Sequence, residues 1–239
     1  MPEPQEELRR ALAENRRRKK DIPAERYAPW NIVERWMLDD RHRRAAQMLH
    51  RLGVFPDEGT PCLEIGVGTG GWLPTLLAWG VAEEQLHGVD IDAERLADTA
   101  RRLPAVCPAL CDGAALPYAD GRFGLVVAST VLTSVLDPAH RRRIAKEIER
   151  VLRPGGALVW YDFAVDNPRN DQVRAVARQE LTSLFPGLRG ETRRITLAPP
   201  LARLVAPLGF WSLELLATVP WLRTHLLAVL VRDGADQPS

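Results

Sequence analysis

The feature that most constrains the fold is a glycine-rich segment, Glu64–Gly71, which reads Glu-Ile-Gly-Val-Gly-Thr-Gly-Gly. It begins at the end of the run 61–65, which is short and apolar as a buried strand should be. It ends before 72–79, whose pattern predicts a helix. Glycine at a strand-to-helix turn lets backbone N–H groups approach a ligand, and the start of the helix favours an anionic group. The segment therefore predicts a nucleotide-type ligand at this turn, with a simple structural turn as the alternative.

Short apolar strands and amphipathic helices alternate along most of the chain. Further strands are predicted at 85–89, 105–110, 123–128 and 157–163, with helices at 93–103 and 141–152. Beyond residue 167 the pattern predicts a helix at 172–184, a strand at 192–197, two short helices and a last strand at 225–231. Strands that are separated by helices form a parallel sheet, so we predict an α/β fold.

The glycines by themselves fit two kinds of nucleotide site. Gly66, Gly68 and Gly71 satisfy the dinucleotide pattern GxGxxG, whereas Gly66, Gly68 and Gly70 satisfy GxGxG. Glu64 stands two residues before the first glycine, where an NAD-binding strand normally carries an apolar side chain. A carboxylate at this position suits a ligand with an ammonium group, which S-adenosylmethionine has.

Carboxylates also follow the second and third predicted strands. Asp90 is placed to accept both hydroxyl groups of a ribose, and Asp92 is expected to cap the next helix. Ile91 could pack on a purine or in the core. Asp112 with Gly113 could meet an adenine amino group, and the alternative for this pair is an ordinary turn.

With these motifs in order, the sequence resembles class I S-adenosylmethionine-dependent methyltransferases of the small-molecule type, a group that includes the ubiquinone-biosynthesis C-methyltransferases. Four motifs carry the resemblance, which runs from about residue 62 to 163: Glu64–Gly70, Gly88–Asp92, Asp112–Phe123 and Glu147–Gly156. It implies a Rossmann-like three-layer sandwich with a mostly parallel seven-stranded sheet, an antiparallel last strand and N-terminal capping helices. It divides the chain into an N-terminal arm with capping helices (1–53), an S-adenosylmethionine-binding methyltransferase domain (54–232) and a mobile tail (233–239).

The resemblance also implies which residues bind the cofactor. The glycines would approach its methionine end, Glu64 would orient its amino-acid part, and a serine would line the site after the fourth strand. The full set is Glu64, Gly66, Gly68, Gly70, Asp90, Ile91, Asp112, Gly113 and Ser129. A looser similarity of the C-terminal part, at 166–170 and 196–201, to methyltransferases of bacterial polysaccharide and natural-product pathways implies a hydroxyl of a sugar or secondary metabolite as the acceptor.

Methyl transfer to a hydroxyl needs an acceptor for its proton, which makes basic side chains near the strand ends candidate catalytic residues. Asp162 is our first choice because ligands of open α/β sheets bind beyond the carboxyl ends of the strands, although a turn or capping role is an equal alternative. Tyr161 and His140 are the other candidates. Two positions depart from the family pattern: Gly124 replaces an Asp, and a His that is common after the fourth strand is replaced near Thr133.

Composition limits the kinds of partner and the compartment that we expect for the protein. The chain has 32 Lys and Arg residues against 31 Asp and Glu, and its basic run 16–20 has no aromatic platform beside it, so we expect no nucleic-acid partner. Charged residues and prolines interrupt the apolar region 204–231, which argues against stable membrane insertion. The three cysteines predict a reducing cytoplasm, and no His or Cys spacing suits a metal.

Several alternatives stay open at this point. An NAD(P)-dependent oxidoreductase could use the same glycines, and a non-catalytic S-adenosylmethionine-binding module could keep the same fold. Whether the chain forms a homodimer is also open.

Overall fold

The computed structural model describes residues 4–68, 71–166 and 170–234. Gly70, one of the predicted cofactor-binding residues, and 235–239 of the predicted tail lie outside the described residues. No helix within the described ranges is long and apolar enough to cross a membrane.

Seven strands form one sheet in the order β3-β2-β1-β4-β5-β7-β6. Their bounds are β1 Cys62–Ile65, β2 Leu86–Asp90, β3 Cys107–Leu110, β4 Phe123–Ser129, β5 Leu152–Phe163, β6 Leu188–Leu197 and β7 Arg223–Arg232. Strand β7 is antiparallel to both β5 and β6, and the other pairs are parallel. The predicted Rossmann-like architecture with an antiparallel last strand is therefore confirmed.

Helices pack on both faces of this sheet. Their bounds are α1 Pro4–Asp21, α2 Ile32–Arg51, α3 Leu73–Ala78, α4 Ala93–Arg102, α5 Pro138–Val151, α6 Arg178–Leu184, α7 Pro199–Val205 and α8 Phe210–Ala217. Strand β4 is apolar throughout because it is covered on both sides: Val126 packs with Ile144 of α5, whereas Val127 packs with Met48 of α2. The central strands are thereby fixed, and their carboxyl ends form the floor of the site.

Short polar side chains set where several helices begin. Asp92 accepts a hydrogen bond from the N–H of Glu94 at the start of α4, as predicted. Asp137 accepts from the N–H groups of Ala139 and His140 at the start of α5. Both helices therefore start next to the carboxyl ends of strands, which brings their first turns close to the site.

Two predicted boundaries were wrong. The helix expected at 172–184 begins only at Arg178, because the backbone N–H groups of Arg174 and Val176 bond to the carbonyls of Thr133 and Phe163 instead. The last long parallel strand begins at Leu152 rather than at residue 157, since the Pro-Gly-Gly stretch continues the chain into the sheet with a register shift opposite β4. In both places the pairing is with residues distant in sequence.

Candidate active site

A cleft of about 950 Å³, including its part open to solvent, lies at the carboxyl ends of β1 to β4. Most of the predicted cofactor-binding residues line it, together with one predicted catalytic residue: Gly66, Gly68, Asp90, Ile91, Asp112, Gly113, Ser129 and His140. The structure thus brings together residues from four separate strand ends.

The glycine turn needs glycine for two physical reasons. Gly66 and Gly68 have φ values of +72° and +57°, a left-handed conformation that glycine adopts without strain. A Cβ on Gly66 would also lie 3.0 Å from the Cγ2 of Val131 across the cleft. The backbone at this turn is consequently bare on the side that faces the cleft.

Asp90 joins the glycine turn to the end of β2. Its Oδ2 accepts a hydrogen bond from the N–H of Gly68 at 3.1 Å, and its Oδ1 accepts from the N–H of Asp92 at 2.9 Å. Burial raises the pKa of Asp90, while these two bonds and the nearby Arg95 oppose the change. A carboxylate can accept about four hydrogen bonds, so the side chain keeps capacity for two hydroxyl donors from a ligand.

Asp112 and His140 form a hydrogen-bonded pair at the end of the cleft near β3. The Nε2 of His140 lies 3.0 Å from the Oδ1 of Asp112, and its Nδ1 lies 2.9 Å from the Nη2 of Arg143. Because arginine can only donate, Nδ1 accepts and Nε2 donates to the carboxylate. Burial acts to raise the pKa of Asp112, but the bonds from His140 and the N–H of Ala114 outweigh it and lower this pKa.

Glu64 is buried beneath the glycine turn and is not among the described residues that line the cleft. Its carboxyl oxygens accept hydrogen bonds from the N–H groups of Trp72 (2.8 Å) and Leu73 (3.1 Å), which cap the start of α3. Burial raises its pKa to about 8, although these bonds act in the other direction. A Cβ on Gly71 would overlap this carboxyl group, so only glycine fits at position 71 while Glu64 occupies this place.

Helix α1 lies over the cleft, within the part of the chain predicted to form an N-terminal arm and capping helices; sequence reasoning named none of its residues as part of the site. Glu7 accepts a bond from the N–H of Leu136 at 2.7 Å, and Arg10 donates to the carbonyl of Ser134 at 2.5 Å. The helix contributes seven residues to the cleft wall: Glu7, Leu8, Arg10, Ala11, Glu14, Asn15 and Arg18. Charge pairs spaced three apart, such as Glu7 with Arg10, could have indicated a helix, but no local pattern indicates what it packs against.

The other two predicted catalytic residues lie behind the cleft wall. Asp162 is fully buried and accepts hydrogen bonds from Thr133 Oγ1 at 2.5 Å and the N–H of Leu132 at 3.2 Å. Burial raises its pKa to about 7 against the effect of these bonds. Tyr161 donates or accepts a bond with Thr196 Oγ1 at 2.9 Å, and neither Tyr161 nor Asp162 is among the described cleft residues.

Sequence reasoning also missed the segment after β4, which forms the wall beside Ser129. Thr130 has a φ of +57°, a strained conformation for a residue with a Cβ. Val131 and Ser134 line the same wall. Strain of this kind is common at ligand sites, but the sequence contains no signal for it.

Comparisons with known proteins relate the part of the chain that forms this cleft to methyltransferases. Residues 62–156 match the family model for a methyltransferase domain. A demethylmenaquinone methyltransferase from Mycolicibacterium paratuberculosis is 32% identical over 169 residues, 70% of this chain and 66% of that protein. An O-methyltransferase from Penicillium expansum is 31% identical over 124 residues, 49% of this chain and 43% of that protein. The chain spans about half the length of the curated relatives it matches.

A solved structure extends the likeness to nearly the whole fold. It is a 1,6-didemethyltoxoflavin-N1-methyltransferase from Burkholderia thailandensis, with bound 1,6-didemethyltoxoflavin and S-adenosylhomocysteine. It matches with a TM-score of 0.64 at 18% identity and covers 98% of this chain and 92% of that one, a likeness in fold alone. The chain belongs to the class I S-adenosylmethionine-dependent methyltransferases.

S-adenosylmethionine is the cofactor of this family, and the cleft of this chain fits it. The left-handed turn at Gly66 has no side chain beside Val131 of the cleft wall, and Asp90 retains unused acceptor capacity. Glu64 differs from the sequence expectation in one respect, because its oxygens accept hydrogen bonds from the start of α3 and it does not line the cleft. Its influence on a ligand would act through the position of the turn.

Proposed function

We propose that this protein catalyses transfer of a methyl group from S-adenosylmethionine to a small-molecule acceptor, a hydroxyl of a sugar or secondary metabolite. The observation that supports this most directly is the convergence of Gly66, Asp90, Asp112 and Ser129 on one cleft. The bare glycine turn would receive the methionine end, Asp90 the ribose hydroxyls, and Asp112 with Gly113 the adenine. Ile91, on the same wall, would pack against the purine face.

When bound, the cofactor would supply a methyl group on a positively charged sulfur, and transfer of that methyl to the acceptor oxygen would break the C–S bond and leave the sulfur as a neutral thioether. The work of the protein is then mainly alignment and exclusion of water, and alignment can contribute about 7–11 kcal/mol. Helix α1, bonded through Glu7 and Arg10 to the wall after β4, would exclude water from the cleft. Closure of this kind keeps the acceptor as the only nucleophile near the methyl group.

Asp162 and His140 receive revised roles in this proposal. Both oxygens of Asp162 are engaged by Thr133 and Leu132, so it is a positioning residue that holds the segment after β4 beside Ser129. His140 is bonded to Asp112 at the adenine end, so it orients that carboxylate instead of acting as the base. The hydroxyl proton of the acceptor would then pass to water at the side of the cleft that is open to solvent. Tyr161, with its pKa raised to about 12 by burial, stays protonated and shapes the wall behind Ser129.

Two observations support a hydroxyl-bearing acceptor: the side chains of the cleft wall and the similarity to an O-methyltransferase. The wall at the end of β4 presents the hydroxyl-bearing residues Ser129, Thr130 and Ser134, which suit a polyhydroxylated acceptor. The matched Penicillium expansum protein is an O-methyltransferase. We further propose a biosynthetic role in the cytoplasm, without a nucleic-acid partner, and a homodimer as the form to be tested by sedimentation.

The test is transfer of labelled methyl from S-adenosylmethionine to a panel of sugars, phenols, carboxylic acids and amines. We expect labelled methyl ethers from hydroxyl-bearing members, and we expect Asp90→Asn to reduce their formation more than the neighbouring Asp92→Asn does. Transfer to amines alone would refute the hydroxyl acceptor. S-adenosylhomocysteine binding without transfer to any member would instead favour the non-catalytic binding module.

A further inference from the structure

Arg41 of α2 lies directly behind the cleft wall, at the end of β4. Its Nη1 donates to Ser129 Oγ at 3.3 Å, and Ser129 lines the cleft. The guanidinium lies over two aromatic rings, with its Cζ 5.4 Å from the ring centroid of Trp72 and 4.8 Å from that of Tyr161. Cation–π contacts with these rings favour this position of the charged group.

The charge of Arg41 has no carboxylate partner in the described part of the chain. Its neighbours on the same helix are paired: Arg43 and Arg44 contact Asp40 at 2.8 Å, and Arg35 contacts an aspartate one turn later at 3.5 Å. For Arg41, by contrast, no carboxylate oxygen among the described residues lies within 4.0 Å, and its Nε is buried without a hydrogen-bond partner. Buried arginine N–H groups normally have a hydrogen-bond acceptor, so the Nε–H of Arg41 is available to bond to an acceptor on a ligand.

Burial favours the neutral forms of four titratable side chains around Arg41. It raises the pKa of Glu64 to about 8 and that of Tyr161 to about 12, which favours the protonated form of each. Burial, together with the charge of Arg41, lowers the pKa values of His42 and His225 to about 3, so both imidazoles are uncharged. An unpaired charge in such surroundings is costly, and an anionic ligand would offset that cost.

We propose that Arg41 is the binding group of a carboxylate subsite that opens to the cleft at Ser129. The inference rests on the proposed function, because it assigns a part of the same ligand site. The guanidinium offers Nε–H and Nη–H donors in the fork that matches the two oxygens of a carboxylate. Two ligands could supply this group: the methionine carboxylate of the cofactor, or a carboxylate of the acceptor.

The first experiment separates the two sources by calorimetry. S-adenosylhomocysteine and 5′-methylthioadenosine share the adenosine and the thioether, but only the first has a carboxylate. If the cofactor supplies it, Arg41→Gln weakens S-adenosylhomocysteine binding about ten- to a hundredfold and leaves 5′-methylthioadenosine within about twofold. Arg41→Lys should lose part of this preference, and Arg35→Gln, a matched change on the exposed side of the same helix, should lose none.

The second experiment observes the Nε–H of Arg41 directly by nitrogen NMR. A shift of this resonance on adding S-adenosylhomocysteine, without a shift on adding 5′-methylthioadenosine, supports the cofactor source. A shift only when benzoate is added to protein saturated with S-adenosylhomocysteine supports the acceptor source.

No shift with any of these ligands overturns the subsite. Equal weakening of both adenosyl ligands by Arg41→Gln, with a lower Tm, also overturns it, because that result indicates a purely structural arginine. A wild-type protein that binds neither adenosyl ligand refutes the proposed function itself. That outcome is distinct from normal binding that is insensitive to Arg41.

Discussion

Replacing Gly71 by alanine tests the buried cap that holds the glycine turn. The new Cβ would overlap the carboxyl group of Glu64, whose oxygens accept from the N–H groups of Trp72 and Leu73. Gly71 does not have a positive φ, so alanine is compatible with its backbone and only the contact with Glu64 opposes it. We therefore predict that Gly71→Ala destabilises the protein by displacing Glu64.

The magnitude follows from the two N–H groups that lose their acceptor. Both belong to buried residues, and a buried donor without a partner costs about 1–3 kcal/mol. Alanine reduces the entropy of the unfolded chain relative to glycine, which returns about 0.4–1 kcal/mol. The net loss in the free energy of unfolding should be about 1–6 kcal/mol, measured by urea denaturation.

A control and a double mutant make the prediction specific. Gly59→Ala, at a glycine whose nearest neighbour would be 3.9 Å from the new Cβ, should change stability by less than about 1 kcal/mol. In a Glu64→Ala background the overlap no longer exists, so adding Gly71→Ala should cost almost nothing further. Equal costs of Gly71→Ala in both backgrounds would refute the reasoning.

Three further predictions concern pH, the ribose and the helix over the cleft. Burial raises the pKa of Asp162 to about 7 in the folded protein, whereas an aspartate in the unfolded chain has a pKa of about 4. Between these values the folded state keeps a proton that the unfolded state has released, so the free energy of unfolding falls as the pH rises through about 7. Asp162→Asn should show a smaller loss of unfolding free energy between pH 5 and 7.5, and an unchanged slope would contradict this. Asp90→Asn should weaken S-adenosylhomocysteine binding about tenfold by calorimetry, whereas Asp92→Asn, which keeps an equivalent helix cap, should not; equal effects would remove the ribose role. Arg10→Ala should speed dissociation of S-adenosylhomocysteine about five- to tenfold in stopped-flow measurements, with the exposed Arg9→Ala as control, and equal off-rates would show that α1 does not retain the ligand.

The sequence was sufficient for the features that depend on local pattern. The apolar runs of β1 and β4, separated by amphipathic helices, predict central parallel strands because both of their faces are covered. The Asp92 cap follows from its place directly before the helix. The convergence of Asp90 and Asp112 on one cleft follows from the geometry of parallel strands, whose carboxyl ends share an edge.

What the sequence could not predict depends on long-range contacts. Residues 172–177 have a helical pattern, but the N–H groups of Arg174 and Val176 bond to the carbonyls of Thr133 and Phe163, which are remote in sequence. The basic run at 16–20 lies in the last turns of α1, and only the packing of that helix shows that Arg18 lines the cleft. Arg41 stands in a helix of many arginines, and only its three-dimensional surroundings distinguish it from its paired neighbours.

The most direct test of the central claim is a calorimetric titration of the protein with S-adenosylhomocysteine, S-adenosylmethionine and NADH under one set of conditions. The cleft with its bare glycine turn and Asp90 predicts binding of both adenosyl sulfur ligands and no heat from NADH. Binding of NADH alone would contradict the assignment and would indicate hydride transfer at the same glycine turn.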